Sequence, residues 1–472
     1  MSRSLIDPQL MFDAAQRAAR YVNGLTTRHV RPDPDAVSGL SRFDIRFPNE
    51  PLPPAKVLEE LDALASPATM GMSSPRFFGF VIGGSLPAAL AANWLATAWD
   101  QNTGLYNSTP ATAVIEQVAL GWVLEALDLP RESGGALVTG TSVAHVTALA
   151  AARRSLLLRA GWDADADGLF GAPPITVIAS EEAHATLFKA LGVVGLGRNR
   201  VVRVPVDAQG AMRLDALPTI SGPTIVCVQA GNVNTGSFDP IREICERVKP
   251  AGAWVHVDGA FGLWARATDK RAHLAAGAEL ADSWATDAHK WLNVPYDSGI
   301  AFVRDAAALR SAMTIAAEYL PTEAAYRNPS EYTPELSRRA RGVDVWAALR
   351  SLGRSGVAEL VDASCRQARR FADRLSGAGY EILNDVQLNQ VLVSFGDPEM
   401  TNRVIADIQS DGTCWCGGTV WQGRTAMRIS VSCWATTDED VELSVDAMIR
   451  IANEHTRGRS AARAQPPAAV GR

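Results

Sequence analysis

Short apolar runs that end in polar turns constrain the fold of this chain more than any other feature. Four of them follow one another, ITVIAS at Ile175, TIVCVQA at Thr224, WVHVDGA at Trp254 and GIAFVRD at Gly299, and helical patterns separate them. Apolar strands that alternate with helices are typical of helices packed on a largely parallel sheet. From about Pro75 onward we therefore expect an α/β fold with a mostly parallel central sheet flanked by helices.

The chain has 472 residues, more than one hydrophobic core usually organises, so several domains are expected. A second helix and strand pattern, with strands at Val391 and Met427, indicates a smaller C-terminal α+β domain. The sequence predicts an N-terminal helical arm, a large domain, this small domain and a basic, disordered tail at residues 1–74, 75–343, 344–455 and 456–472.

Composition excludes several classes of protein. With 47% apolar residues, 20% charged residues and a net charge of -6, nothing favours nucleic-acid binding. No apolar stretch is long enough for a membrane span, and the first residues lack the pattern of a signal peptide. The six cysteines are scattered without metal-ligand spacing, so we expect reduced thiols, no metal site and a cytoplasmic protein.

The segment SWATDAHKWLNVPYDSG, from Ser283 to Gly299, carries a candidate nucleophile. It reads as a strand that runs into a turn holding His289 and Lys290. A lysine at the end of a strand can lose solvent and form an imine with an aldehyde. Most lysines are solvated surface groups, so this residue alone does not establish the chemistry.

Asp258 ends the apolar strand of WVHVDGAFG. A buried aspartate is costly unless it has a cationic partner, and a pyridinium nitrogen would be one. Protonation of that nitrogen makes a pyridine ring a stronger electron sink for a carbanion. An aspartate that only bonds backbone amides in a turn remains the alternative.

Two further segments join strands to helices. LVTGTSVAHVTAL passes through Gly140, Thr141 and Ser142 into a long helix, whose first amides and hydroxyls could hold a phosphate or only cap the helix. VIASEEAHATL starts a helix near His184, whose imidazole could stack on a cofactor ring or face solvent.

Together these four segments resemble the group II amino-acid decarboxylases that depend on pyridoxal 5′-phosphate (PLP) and have the aspartate aminotransferase fold, known as fold type I. The resemblance includes SPRFFGFVIGGSLPAALAANWLATAWDQN from Ser74 and QAGNVNTGSFDPI from Gln229. It covers roughly Pro75 to Gly353 and is expected to continue to Glu454.

The resemblance implies PLP as the cofactor and assigns roles to particular residues. Lys290 would hold PLP as a Schiff base, and Asp258 would keep the pyridine nitrogen protonated. His184 and Ala260 would lie against opposite faces of the ring. The remaining cofactor contacts implied are Thr141, Ser142, His289 and Asn232.

Three positions depart from the family pattern. Asp287 stands where relatives often carry Asn or another neutral residue, and a carboxylate is a poor neighbour for a phosphate. Asn232, Val233 and Asn234 lie in a segment where decarboxylases often have a Thr. His145 stands where relatives frequently have Asn.

The resemblance implies decarboxylation of an L-amino acid to an amine and carbon dioxide. Other fold type I reactions remain open, namely those of an aldehyde synthase, an aldolase or other lyase, or an aminotransferase, as does a PLP-binding homologue without turnover. Arg428 could bind a substrate carboxylate, as in aminotransferases, or pair with a structural acid. An aromatic substrate is one option, since Phe77, Phe78, Phe80 and Trp94 could line a pocket or simply pack in the core.

The segment from Glu318 to Arg339 is expected to form a mobile lid. Decarboxylase relatives use a loop tyrosine to protonate the substrate carbon, and Tyr326 and Tyr332 compete for that role, with Tyr332 narrowly favoured. The resemblance also implies a homodimer with each active site at the subunit interface.

Overall fold

The structure is a computed structural model, and it describes residues 7–314 and 326–464, with side chains as far as residue 457. Among these residues, no helix is both long and apolar enough to cross a bilayer. All six cysteines are buried and unbridged.

Thirteen α-helices lie within the described ranges. In chain order they are α1 Pro8–Gly24, α2 Pro34–Ser38, α3 Pro54–Ala65, α4 Pro87–Trp99, α5 Pro110–Ala126, α6 Thr141–Arg159, α7 Ala164–Asp167, α8 Ala185–Val193, α9 Ile241–Val248, α10 Ala306–Met313, α11 Arg341–Gly377, α12 Pro398–Asp411 and α13 Asp438–Ala464. Gly353, with φ at 61°, interrupts the helical dihedral angles of α11 and marks a kink.

Eleven strands lie within the same ranges. In chain order they are β1 Gly134–Val138, β2 Thr176–Ser180, β3 Val202–Val204, β4 Thr224–Gln229, β5 Trp254–Asp258, β6 Ser283–Asp287, β7 Gly299–Val303, β8 Glu381–Ile382, β9 Gln390–Ser394, β10 Gly417–Trp421 and β11 Arg424–Ser430.

The larger sheet has seven strands in the order β1-β7-β6-β5-β4-β2-β3. The four pairs from β6 to β3 are parallel, and β7 alone runs antiparallel to its two neighbours, β1 and β6. Strands β1, β4, β5, β6 and β7 are buried along their whole length, and α6 packs against β5, β6 and β7. This arrangement confirms the predicted α/β fold with a mostly parallel central sheet.

The smaller sheet has four strands in the order β10-β11-β9-β8. Strands β10 and β11 form an antiparallel hairpin, and β8 pairs antiparallel with β9. Together with α12 and α13, this sheet is the α+β part of the chain that the pattern around Val391 and Met427 predicted.

Contacts between Cα atoms divide the chain into two units, and their boundaries are not those expected from sequence. Unit 1 comprises Met1–Ile82, Arg370–Ile382 and Val393–Arg472, and unit 2 comprises Gly83–Arg369 and Leu383–Leu392.

The N-terminal segment belongs to unit 1 because it packs on the C-terminal elements. Phe77 stacks on Trp415 with ring centroids 5.1 Å apart, and Arg76 pairs with Asp440 at 3.1 Å. At the other end of the chain, α13 continues to Ala464, beyond the position where the tail was expected to begin, and residues 465–472 lie outside the described residues.

Candidate active site

The carboxyl ends of four parallel strands meet at one edge of the larger sheet. β2 ends at Ser180, β4 at Gln229, β5 at Asp258 and β6 at Asp287. In the register of the sheet, Gln229 lies beside Asp258, and Asp258 lies beside Ala285. Ligands of α/β sheets bind outside the carboxyl ends of the strands, so this edge of unit 2 is the candidate active site.

Lys290 lies in the turn after β6, where a carboxylate holds its amine. Its Nζ is 3.0 Å from Asp287 Oδ2, and the side chain is 21% exposed. A Cβ on Gly83 would lie 1.9 Å from the carbonyl oxygen of Lys290, so this close approach requires glycine. The amine is therefore positioned at the strand edge and still accessible, as imine formation with an aldehyde requires.

Asp287 also contacts the start of helix α6. Its Oδ1 accepts a hydrogen bond from the Thr141 backbone N–H at 2.7 Å, and the carboxylate is almost fully buried. The chain is tight here, since a Cβ on Gly299 would lie 2.4 Å from the Gly140 Cα. A carboxylate at a helix N-terminus is favourable because it meets the positive end of the helix dipole. Asp287 thus joins the candidate nucleophile to the predicted phosphate loop.

The two hydroxyls predicted to bind phosphate lie in the first turn of α6. Thr141 Oγ1 is buried and has no hydrogen-bond partner within the described part of the chain. Ser142 follows it and is half-buried. A buried hydroxyl without a partner is costly, and one at a helix N-terminus is well placed to donate to an anion.

Asp258 is buried at the end of β5, with 6% of its surface exposed. Its Oδ1 accepts from the Ala260 N–H at 3.2 Å, and its Oδ2 lies 3.5 Å from His145 Nε2. Burial alone would raise the pKa of Asp258, but the neighbouring His145, together with more distant basic groups, holds that pKa well below its usual range. The carboxylate is therefore ionised and able to accept a hydrogen bond from a cationic nitrogen.

A chain of buried polar side chains continues behind His145. His145 Nδ1 lies 2.9 Å from His256 Nε2, and His256 Nδ1 lies 2.8 Å from Ser283 Oγ. The indole Nε1 of Trp254 donates to the same Ser283 Oγ at 2.9 Å. Burial lowers the pKa of His256 to about 3, so its imidazole is neutral.

His184 lies at the start of helix α8, as the sequence predicted. It is the N-cap residue, its Nδ1 is 2.8 Å from Thr186 Oγ1, and the residue is half-buried. Its charge contributes to the low pKa of Asp258, as does that of Lys290. His184, Asp258 and Lys290 are therefore electrostatic neighbours, and ring stacking by His184 stays a prediction.

Ala260 links the ends of two strands. Its N–H donates to Asp258 Oδ1 at 3.2 Å, and its carbonyl oxygen accepts from the Asp287 N–H at 2.9 Å. The residue is half-buried. Its predicted position against a cofactor ring stays a prediction.

A hydrogen bond and an aromatic contact hold the His289 ring in place. Nδ1 accepts from the Ser298 N–H at 3.1 Å, and the ring stacks on Tyr296 at 4.2 Å between centroids. Burial lowers the pKa of His289, so the neutral ring carries its proton on Nε2, 3.7 Å from Asp287 Oδ2.

Asn232 is buried in the loop after β4, where its Oδ1 accepts from the N–H groups of Asn234 at 2.9 Å and Thr235 at 3.3 Å. Its Nδ2 is buried and has no hydrogen-bond partner among the described residues. The carbonyl end of the side chain therefore shapes the loop, and the amide end remains a candidate donor to a ligand.

The two loop tyrosines have different surroundings. Tyr332 ends a short 3-10 turn, Pro329–Tyr332, and packs against core residues under the Arg327 guanidinium, 3.9 Å from the ring centroid. Tyr326 is 51% exposed and contacts the Tyr106 ring at 4.6 Å. Residues 315–325, which include part of the expected lid, lie outside the described residues. Tyr332 as the proton donor stays a prediction, and of the two rings Tyr326 is the more exposed.

Other candidate side chains lie in unit 1 or at the surface. Arg428 is on β11, where burial lowers its pKa. Phe77 and Phe78 are buried, while Phe80 and Trp94 are largely exposed. Within unit 1, Phe77 and Phe80 pack on Trp415, and Phe78 packs on Phe371. This packing accounts for the three phenylalanines as parts of unit 1, and a role for them or Arg428 in substrate binding stays a prediction.

Sequence reasoning missed the chain formed by His256, Ser283 and Trp254, and it noted His145 only as a departure. One signal was present. Residues 254, 256 and 258 alternate along β5, so their side chains lie on one face of the strand. A polar imidazole two residues before a buried aspartate therefore points to a hydrogen-bonded network on that face.

The site fits a phosphorylated pyridine aldehyde. The ionised Asp258 suits a protonated ring nitrogen, the Lys290 amine suits an aldehyde, and the buried Thr141 hydroxyl at a helix N-terminus suits a phosphate. Asp287 does not fit this picture, since its negative charge would repel a phosphate bound at the same helix terminus.

Comparisons with known proteins agree with this description. Residues 38–396 match the family model described as the pyridoxal-dependent decarboxylase conserved domain. Tryptophan decarboxylase 1 of Oryza sativa subsp. japonica is 27% identical over 414 residues, which are 79% of this chain and 79% of that protein. The 4-hydroxyphenylacetaldehyde synthase of Rhodiola rosea is 25% identical, over 92% of each chain.

Solved structures resemble the fold closely. The crystal structure of Oryza sativa TDC with PLP and tryptamine aligns with a TM-score of 0.86 and 23% identity. The alignment covers 95% of this chain and 97% of that one. Identity at this level supports the fold type I assignment alone.

Proposed function

The chain belongs to the pyridoxal-dependent decarboxylase family, and on that premise we propose that Lys290, Asp258 and His184 form the catalytic centre of a PLP-dependent carboxy-lyase acting on an aromatic L-amino acid. The chain is a lyase that removes carbon dioxide from an amino acid with PLP as its cofactor. Its substrate and the role of each residue are the proposal.

One observation carries these roles: the buried Asp258 carboxylate lies at the same strand edge as the accessible amine of Lys290, and its neighbours lower its pKa. Bound PLP supplies an electron sink for the bond that breaks at the substrate Cα. Asp258 holds the proton on the pyridine nitrogen, which keeps that sink strong. Lys290 holds the cofactor covalently and carries protons to and from the substrate side.

The start of α6 would bind the cofactor phosphate. Thr141 and Ser142 supply hydroxyl donors and the helix supplies its dipole, while His289 is held beside the same carboxylate that contacts Lys290. His184 and Ala260 would flank the ring. The Asn232 amide, which has no hydrogen-bond partner in the described part of the chain, would donate to the ring or to the substrate.

An aromatic substrate is supported by the names of relatives, which include tryptophan, tyrosine and DOPA decarboxylases. A relative named L-2,4-diaminobutyrate decarboxylase makes a basic substrate the main competitor. The purified protein should release carbon dioxide and amine from tryptophan, tyrosine or DOPA and little from 2,4-diaminobutyrate. The reverse preference would overturn the substrate class.

Aldehyde formation is a second candidate activity, because two relatives carry the name of an aldehyde synthase. The loop tyrosines test it. If Tyr332 protonates the substrate carbon, Tyr332→Phe should still release carbon dioxide but lose amine in favour of aldehyde, with dioxygen as the oxidant and ammonia and hydrogen peroxide as the other products, while Tyr326→Phe behaves normally. The opposite result would assign the proton to Tyr326, the more exposed ring. Aldehyde as the main product of the unmodified protein would establish the second candidate.

A homodimer is supported by exposed apolar side chains on α4 and α5 of unit 2, namely Trp94, Leu95, Trp99, Val114 and Val118. Light scattering should give the mass of two chains, and a fully active monomer would refute this. A cytoplasmic location is supported by six buried cysteines that form no disulfide.

A further inference from the structure

The Asp258 carboxylate is backed by side chains from three different elements. Trp254 and His256 share its face of β5, Ser283 begins β6, and His145 projects from α6. His145, His256 and Ser283 are all completely buried. Because no solvent reaches these groups, each of their protons has to be donated to a neighbouring side chain.

The direction of the hydrogen bonds follows from the donor at the far end. An indole N–H can only donate, so Ser283 Oγ accepts from Trp254 Nε1. The Ser283 hydroxyl then has its own proton to give, and His256 Nδ1 is 2.8 Å away. A neutral His256 that accepts at Nδ1 carries its proton on Nε2.

The same assignment of protons extends from His256 to His145. His256 Nε2 is 2.9 Å from His145 Nδ1, so the proton on His256 points at an accepting nitrogen of His145. A neutral His145 then carries its proton on Nε2. That nitrogen lies 3.5 Å from Asp258 Oδ2, and it has no hydrogen-bond partner among the described residues.

If the hydrogen bonds ran in the opposite direction, Ser283 and His145 would each make a less favourable contact. Ser283 would accept twice, and its hydroxyl proton would have no partner among the described residues. A neutral His145 would then aim a lone pair at a carboxylate, which is repulsive at 3.5 Å. Only a doubly protonated His145 would relieve that repulsion, and the Ser283 proton would still be stranded.

We propose that Trp254, Ser283, His256 and His145 form a one-directional hydrogen-bond relay that presents the His145 Nε2–H to Asp258, making His145 the positioning residue that keeps this carboxylate ionised for the cofactor nitrogen. The inference rests on the proposed function of Asp258. Ala260 N–H meets the other oxygen, Oδ1, so both oxygens face donors on the protein side. Without the His145 donor, burial favours a protonated Asp258, which could not hold a proton on the ring nitrogen.

The first test needs no cofactor. In cofactor-free protein with ¹⁵N-labelled histidine, long-range ¹H–¹⁵N correlations report which nitrogen of each ring carries the proton. The relay predicts the Nε2–H form for both His256 and His145, with assignments from His256→Gln and His145→Gln. A Nδ1–H form or a doubly protonated ring at His145 would overturn it.

The second test measures the ring nitrogen in protein loaded with PLP that is ¹⁵N-labelled in the pyridine ring. We expect the shift of a protonated nitrogen in the unmodified protein and in His145→Gln, whose Nε2 amide can still donate to Asp258. His145→Leu removes the donor and should move the shift toward the unprotonated value. It should also lower kcat about tenfold with KM nearly unchanged, less than the loss of a donor at the reacting atoms.

Ser283→Ala tests the far end of the relay, and a neighbouring hydroxyl provides the matched control. Thr286 lies on the same strand, is equally buried, and its Oγ1 has no hydrogen-bond partner among the described residues. Ser283→Ala should change the His256 tautomer, while Thr286→Val should change neither tautomers nor ring shift.

An unchanged ring shift in His145→Leu would refute the positioning role. Failure of PLP to attach at Lys290 in the unmodified protein would instead refute the proposed function. The histidine tautomers of the cofactor-free protein would still show whether the relay has the proposed direction.

Discussion

The two ends of the candidate active site handle negative charge in opposite ways. At the ring end, Asp258 is backed by His145 and by the Ala260 N–H, groups that stabilise its charge. At the phosphate end, the Asp287 carboxylate accepts a hydrogen bond from the Thr141 N–H at the start of α6 and forms an ion pair with Lys290. The ring end is thus organised to receive a cation, whereas the phosphate end already contains an anion where an anionic group is expected to bind.

This difference predicts that changes at one end affect turnover and that changes at the other end affect cofactor binding. A preorganised carboxylate acts on the transition state without rearrangement, so changes at the ring end should appear in turnover. A carboxylate that competes with phosphate acts on the bound cofactor as a whole, so changes at Asp287 should appear in cofactor affinity.

Lys290 belongs to both ends, and its loss should have the largest effect. Lys290→Ala removes the covalent attachment and the proton carrier, and turnover should fall by several orders of magnitude. Lys290→Arg keeps a cation for Asp287 but cannot form the imine, so it should be equally inactive. Carbon dioxide release measures both variants, and an active Lys290→Arg would show that only the ion pair matters.

Asp258→Asn should separate the ring end from the phosphate end. A neutral amide cannot keep the ring nitrogen protonated, so we expect turnover to fall by about 10² to 10³, or roughly 2.7–4 kcal/mol of transition-state stabilisation. PLP should still bind, because the phosphate contacts are unchanged. Turnover close to that of the unmodified protein would remove Asp258 from the chemistry.

Asp287→Asn should have the opposite signature. The amide oxygen can still accept the Thr141 N–H, while the repulsion of the phosphate disappears. We expect PLP and inorganic phosphate to bind at least about tenfold more tightly, which corresponds to about 1.4 kcal/mol. Titrations followed by absorbance, with phosphate as a competitor, measure the gain. Asp287→Glu keeps the charge and is the control, and unchanged affinity in Asp287→Asn would mean that the carboxylate does not compete.

The ring end should also make the fold sensitive to acid. The pKa of His256 is lowered to about 3 in the fold from an ordinary value of 6.5, so between these pH values the unfolded chain binds more protons. The free energy of unfolding should therefore fall as pH drops through that window, by at most about 1.4 kcal/mol per pH unit from this residue. His256→Gln should flatten the dependence in urea unfolding series, and an unchanged slope would place the acid sensitivity elsewhere.

Local pattern was enough for the features that lie along one strand or turn. The strand end at Asp258, the turn at His289 and Lys290, and the starts of α6 and α8 are where the sequence predicted them, because apolar runs and helix-start residues are local signals. The fold type and the family followed from their order along the chain.

Features that depend on contacts between distant segments did not follow from sequence. The relay joins α6, β5 and β6, and the contact from Asp287 to Thr141 spans 146 positions. The N-terminal segment was expected to be an arm separate from the small domain, yet Val30 in this segment donates its backbone N–H to the Gly412 carbonyl oxygen. Tyr332 was expected to be a lid residue, and its packing on buried residues of β1, α6, β6 and β7 is likewise a contact between distant segments.

The central claim is that Lys290 carries the cofactor in a site whose ring nitrogen is served by Asp258. Borohydride reduction of the purified, PLP-loaded protein, followed by mass-spectrometric mapping, tests it most directly. We predict that the visible absorbance of the bound cofactor disappears and that the reduced pyridoxyl label is found on the peptide containing Lys290. A label on any other lysine, or none at all, would contradict the account.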